Sequence, residues 1–218
     1  MAEPPASANE LDLTPVEAWA RAELDRRHAA REQALRWSRE LVRTSATSIR
    51  AVHRREFDRA AALLDEGRAL RRQIVDAVGE LGDIYWAGYV QDAEKELVEA
   101  TVTLALVTGT TLPDPATLGV AAGPFLNGLA EAVGELRRYV LDRLRRGEVD
   151  GSEPLLSAMD EIYSLLVSLD YPDALTGGLR RSTDAARGIL EKTRGDLTVA
   201  QRQDALARAL ARAAEARG

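Results

Sequence analysis

The sequence predicts an all-α fold, a single-domain bundle of about seven helices with a long N-terminal helix. Three observations predict it. Hydrophobic residues make up 45% of the 218, but only 5% are aromatic and only two are Phe. The core must therefore be built from Leu, Ala and Val, a composition that suits close-packed helices. Apolar residues recur at three-four spacing in segment after segment. Glycine and proline fall mainly between those segments, and neither occurs between Pro15 and Gly67.

Residues 1–12 read as a disordered tail, acidic and Pro/Ala-rich, ahead of one helical domain over 13–218. Thr14 is placed to cap the first helix, Pro15 suits its first turn, and Glu17 completes a capping box. That helix is expected from about Pro15 to about His53, with Trp19, Leu24, Leu35, Leu41, Val42, Ile49 and Val52 as a loose buried stripe. The second is expected from Glu56 to Val78, with Leu63, Leu64, Leu70, Ile74 and Val78 inward. Gly79 and Gly82 punctuate. The third is expected from about Asp83 to Val107. Its β-branched end, Thr101 to Thr111, resembles a strand, but Val90, Leu97, Leu104 and Val107 keep helical spacing.

Pro113 to Pro124 reads as a loop with one helical turn. The fourth helix, about Pro124 to Arg146, carries a regular stripe at Leu126, Leu129, Val133, Leu136, Val140 and Leu144. Arg143, Arg145 and Arg146 suit its C-terminal dipole, and Gly147 stops it. A fifth helix is expected at Glu153 to Leu169 and a sixth at Pro172 to Arg194, ending at Gly195. A seventh is expected to start at the capping box Thr198…Gln201.

The chain has no cysteine, which excludes disulfides, thiolate zinc sites and cysteine nucleophiles. It lacks an apolar run of the roughly 20 residues that span a bilayer and a basic-then-apolar leader. The expectation is a soluble cytoplasmic protein with no membrane partner. A net charge of −6 excludes a generally basic nucleic-acid binder but not one with a local basic surface.

Chemistry is concentrated in acids. Asp92, Glu96, Glu99 and Thr103 form one stripe of the third helix, and Glu131 and Glu135 stand one turn apart on the fourth. Spacing alone leaves two readings open: two solvated faces, or a Mg²⁺ or Mn²⁺ site built from oxygen ligands, able to orient a water and stabilise an attacked phosphate. Arg36, Arg39, Arg43, Arg50 and Arg54 recur at helical spacing. They either track a phosphate backbone or pair with Glu40, Glu56 and Asp58. Arg137 and Arg138, beside Glu135, either contact substrate or form salt bridges. Trp19, Trp37 and Trp86 suit core or interface better than base stacking. Asp25 and His28 mimic a ligand pair, but the chain's two histidines, His28 and His53, are too few for a di-iron bundle.

The run Glu96-Leu97-Val98-Glu99-Ala100 resembles the Glu-aromatic-Val-Glu-Ala motif of Trax-type members of the translin/Trax family, with Leu for the aromatic. Gly128-Leu129-Ala130-Glu131-Ala132-Val133-Gly134-Glu135-Leu136-Arg137-Arg138 is similar to a later Trax motif. Glu23-Leu24-Asp25-Arg26-Arg27-His28 and Leu35-Arg36-Trp37-Ser38-Arg39-Glu40 resemble its N-terminal half. The similarity covers about residues 20 to 197. It implies a translin-like all-α fold and a closed, hollow homo-oligomer, expected as an octamer, that binds single-stranded RNA or DNA. It also implies a metal-dependent endoribonuclease site on Glu96, Glu99, Glu131 and Glu135, the third being commonly Asp in Trax. Glu96, Glu99 and Glu135 are expected to ligate Mg²⁺, with Glu131 as fourth ligand or water-orienting group. Arg39, Arg43, Arg50, Arg54, Arg137 and Arg138 are the expected nucleic-acid contacts. A non-catalytic translin-like binder of the same fold is the alternative.

Overall fold

The computed structural model describes residues 11–216. Among them are nine helices and no strand: α1 (Thr14–His53), α2 (Phe57–Val78), α3 (Gly82–Tyr85), α4 (Gly88–Thr108), α5 (Pro115–Leu118), α6 (Ala122–Arg145), α7 (Glu153–Val167), α8 (Asp173–Thr176) and α9 (Leu179–Glu215). Six are long and three are single turns. The expected tail lies outside the described residues apart from Leu11 and Asp12.

α4 stands at the centre. It packs against α1 and α2 on one side and α6 on the other, while α6 packs against α7 and α9. Consecutive residues of α4 therefore enter different parts of the core. Leu97 and Ala100 join Leu41, Leu64 and Ile74, whereas Val98 and Val102 join Leu136, Met159 and Leu190. A helix buried nearly all round needs apolar residues on every face. This explains why the run after Thr101 is helical despite its β-branched residues. Thr101 and Thr108 satisfy their hydroxyls on the carbonyls of Leu97 and Leu104, at 2.7 and 2.8 Å.

Three boundaries differ from expectation. Thr14 is not the cap of α1 but its first helical residue. Asp12 accepts its backbone N–H at 3.0 Å, and Glu17 pairs with Arg21 at 2.8 Å instead of reaching back. The expected third helix breaks at Trp86–Ala87, where Ala87 is extended (φ −65°, ψ 140°) and caps α4. The break is closed by Gln91, whose side-chain amide donates to the Tyr85 carbonyl at 3.0 Å. The expected sixth and seventh helices are a single turn, α8, followed by one 37-residue helix, α9, that runs straight through Gly195. Thr193 and Leu197 bury one face across that glycine. Thr198 donates back to the Arg194 carbonyl at 2.7 Å and caps nothing. A lone glycine costs a helix about 1 kcal/mol, too little to stop one anchored on both sides.

The burial of α1 is also shorter than expected. Continuous burial begins at Ala34, while Trp19 and Leu24 are exposed. Among the described residues no helix is long and apolar enough to cross a membrane.

Candidate functional site

The approach of α4 to α6 creates the site. Gly128 faces α4 so closely that a Cβ there would lie 2.7 Å from Val98 Cβ and 2.8 Å from the Lys95 carbonyl oxygen. At this crossing Glu96 and Glu99 of α4 meet Glu131 of α6. One carboxylate oxygen from each lies within 4.8 Å of the other two.

Glu99 is the innermost of the three, only 9% exposed. It makes no hydrogen bond or ion pair among the described residues. Burial, then the like charges of Glu96, Glu131 and Glu135, push its carboxyl up to about 8. Burial also raises Glu96, against the opposing pull of Lys95. Lys95 Nζ lies 2.8 Å from Glu131 Oε1 and 3.7 Å from Glu96 Oε1.

Glu135 is not part of this triad. Its Oε2 lies 2.5 Å from Nε2 of His53, on the last turn of α1, and 3.7 Å from Arg138. The His53 hydrogen bond holds the Glu135 carboxyl below the usual carboxylate range, against the effect of burial. The His53 side chain is 6% exposed, and its Nδ1 has no partner. Asp92, one turn before Glu96, is exposed, and Thr103 is fully buried with an unpartnered hydroxyl.

Glu131 stands between two cavities. One, of about 610 Å³, is walled by Glu99, Glu131, Arg181 and Ser182. The other, of about 530 Å³, is walled by Trp86, Asp92, Lys95 and Glu131. Both are also lined by Gly177, which closes α8, and by Ser182 on the first turn of α9. None of the six arginines expected to bind nucleic acid lines either cavity. Arg39 and Arg43 border a shallow depression on the outer face of α1, where Arg43 pairs with Glu40. Arg50 donates to Thr47 Oγ1 at 2.8 Å. Arg54 is exposed and makes no ion pair among the described residues. Arg137 bridges to α9 through Thr193 Oγ1 at 3.1 Å and Asp196 at 2.8 Å. Arg138 is largely exposed beside Glu135.

Sequence reasoning missed Arg181, Lys95 and the His53–Glu135 pair. Arg181 carries no sequence signal, because only the packing of α9 on α6 brings it to the cavity that Glu99 and Glu131 line. Lys95 carries one: it is one of the chain's two lysines, set between Glu94 and Glu96. Glu94 was missed as well. It is fully buried, and holds Arg71 Nε at 2.9 Å and the Tyr85 hydroxyl at 3.2 Å.

Three oxygen donors on two packed helices suit a hard divalent cation such as Mg²⁺ or Mn²⁺, and a buried carboxylate with no hydrogen-bond donor lacks the charge partner such an ion provides. The donor set therefore fits a metal.

No family model matches the chain. An uncharacterized protein of Methanocaldococcus jannaschii is 30% identical over 179 residues, which cover 80% of this chain and 78% of that one. The structures of AfC3PO and of AfC3PO with duplex RNA match at TM-score 0.79 and 37% identity, over 86% of this chain and 97% of theirs. Apo-NeC3PO matches at TM-score 0.76 and 18% identity, over 87% of this chain and 99% of its own, a likeness of fold alone.

Proposed function

Because the chain belongs to the translin/Trax family, we propose that it is an RNA-binding, metal-dependent endoribonuclease that cleaves single-stranded RNA inside a closed homo-oligomer. The observation that carries the reading is Glu99: a nine-tenths buried, unpartnered carboxylate converging with Glu96 and Glu131 on an open cavity. In this reading Glu96, Glu99 and Glu131 hold the Mg²⁺ or Mn²⁺. When bound, the ion supplies positive charge at the phosphate and lowers the pKa of a water.

The remaining roles fall to the chain's own side chains. Glu135, kept ionised by His53, accepts a proton from the attacking water through its carboxylate. Arg181, exposed at the rim and without an ion pair among the described residues, holds the phosphate against the repulsion of the acids. The AfC3PO complex with duplex RNA supports RNA as the ligand class. Apolar side chains exposed on the outer ends of α1 and α9, among them Trp19, Leu24, Leu206 and Leu210, support assembly, proposed as an octamer.

One observation favours the non-catalytic alternative, a translin-like binder of single-stranded RNA or DNA: Lys95 already neutralises part of the acidic cluster. A single assay separates the two. Single-stranded and duplex RNA are incubated with wild type and Glu99→Gln, in Mg²⁺ or in chelator, and RNA binding and assembly mass are measured alongside. The nuclease reading expects cleavage of single strands by wild type in Mg²⁺ alone, and none by the variant, which still binds and assembles. Binding with no Mg²⁺-dependent cleavage by wild type leaves the binder.

A further inference from the structure

We propose that the cavity on the Trp86 side of Glu131 is a nucleobase subsite for the strand held at the acidic triad, selective for bases that carry an exocyclic amino group. The inference rests on the RNA-binding reading above.

Trp86 is 62% exposed, unusual for so large an apolar side chain, and it lines a concave wall of a cavity of about 530 Å³. Its position is fixed. The Tyr85 ring packs edge-on against it, with centroids 5.1 Å apart and planes at 79°. The Tyr85 hydroxyl is held 3.2 Å from the buried Glu94 carboxylate, which Arg71 pins at 2.9 Å, and Gln91 clamps the Tyr85 carbonyl. An exposed indole on a clamped turn is a preorganised stacking platform, because little freedom is lost when a base lands on it.

The charges of the cavity say what it takes. Asp92 and Glu131 contribute two carboxylates, and the one ammonium, Lys95, is already engaged by Glu131 and Glu96. Such a wall repels a phosphate and accepts a neutral ring with N–H donors. Asp92 makes no hydrogen bond or ion pair among the described residues, so it is open to an exocyclic amino group of adenine, cytosine or guanine, which uracil lacks. Glu131, Gly177 and Ser182 belong to both cavities. A strand with a phosphate beside Arg181 would thus place a neighbouring base against Trp86.

The test makes Trp86 the sole indole by replacing Trp19 and Trp37 with Phe. Emission is followed while labelled oligo-A, oligo-C and oligo-U RNA bind in chelator, with anisotropy reporting binding. Quenching should track binding, Trp86→Ala should weaken oligo-A and oligo-C about tenfold with assembly mass unchanged, Trp86→Phe should restore part of it, and Asp92→Asn should narrow the preference over oligo-U. Binding without quenching, or dissociation of the assembly by Trp86→Ala, would overturn the subsite while leaving the RNA-binding reading intact. Cytidine alone quenching as tightly as oligo-C would overturn the link to a strand. No anisotropy change with any RNA would sink both.

Discussion

Lys95 and Glu131 lock α4 to α6 with an ion pair of 2.8 Å, at the point where three carboxylates meet. The ammonium partly fills the electrostatic role that a metal would take. Removing it should cost the metal-free protein about 1–2 kcal/mol, because half-buried carboxylates lose their counter-charge. It should also increase the protein's dependence on a divalent ion. The expected outcome for Lys95→Gln is a lower melting temperature without metal, and a larger rise on adding Mg²⁺ than wild type shows. An equal rise in both proteins would mean that lysine and metal do not share a site.

Glu99 makes the pH dependence specific. Its folded-state pKa, about 8, is raised above the ordinary glutamate value. The stability that the bound proton contributes is therefore fully present below about 4.5 and is lost progressively as pH rises through about 8. Metal-free wild type should lose stability across that window, and Glu99→Gln should lose less. A cation must displace the same proton, so Mg²⁺ affinity should climb with pH up to about 8 and then level off. Calorimetry at pH 7 in buffers of different ionisation enthalpy should find about one proton released per ion bound. Binding with no proton release would remove Glu99 from the ligand set.

Much of this site is legible in the sequence. The spacing of Glu96 and Glu99 puts them on one side of a helix, but Glu131 lies roughly opposite the apolar stripe of α6, and only the close approach of α4 at Gly128 brings it to them. What spacing cannot supply is the order in which helices pack. Arg181 reaches the cavity only because α9 lies along α6. Glu135 looks equivalent to Glu131, one turn away, yet His53 arrives from α1 to hold it outside the triad. The helix boundaries fail for a related reason. Gly195 has the local chemistry of a stop, but burial of Thr193 and Leu197 carries α9 past it. At Trp86–Ala87 the local signal is only the following Gly88, and the break is held by Tyr85 on Glu94 and by Gln91 on the Tyr85 carbonyl.

His53 and Glu135 give a third prediction. The hydrogen bond from His53 depresses the Glu135 pKa, so this carboxylate's contribution to stability is present above the ordinary glutamate value and is lost as pH falls through the lowered one. In His53→Phe the ring volume stays and the bond goes. Glu135 then stands half-buried without its main partner, at a cost of about 1–3 kcal/mol. Carbon-detected titration of the Glu135 carboxyl should show its midpoint moving upward. An unmoved midpoint would show that Arg138, 3.7 Å away, suffices.

Gly128 and Gly134, two glycines of α6, separate the general effect of removing a helical glycine from the specific one of closing a gap. At Gly134 a Cβ would meet only Ile189 Cδ1 at 3.8 Å, an ordinary contact, so Gly134→Ala should stabilise the helix by about 0.5–1 kcal/mol. At Gly128 the same methyl would overlap Val98 Cβ and the Lys95 carbonyl oxygen, and neither can move without moving α4. Gly128→Ala should therefore destabilise by about 2–3 kcal/mol. The displacement falls on the turn that carries Lys95, Glu96 and Glu99, so the three carboxylates should separate and Mg²⁺ affinity should fall, while Gly134→Ala keeps it. Thermal melts and calorimetry on the two variants decide the matter. If both melted alike and bound Mg²⁺ alike, the close approach of α4 to α6 would not be what assembles the triad.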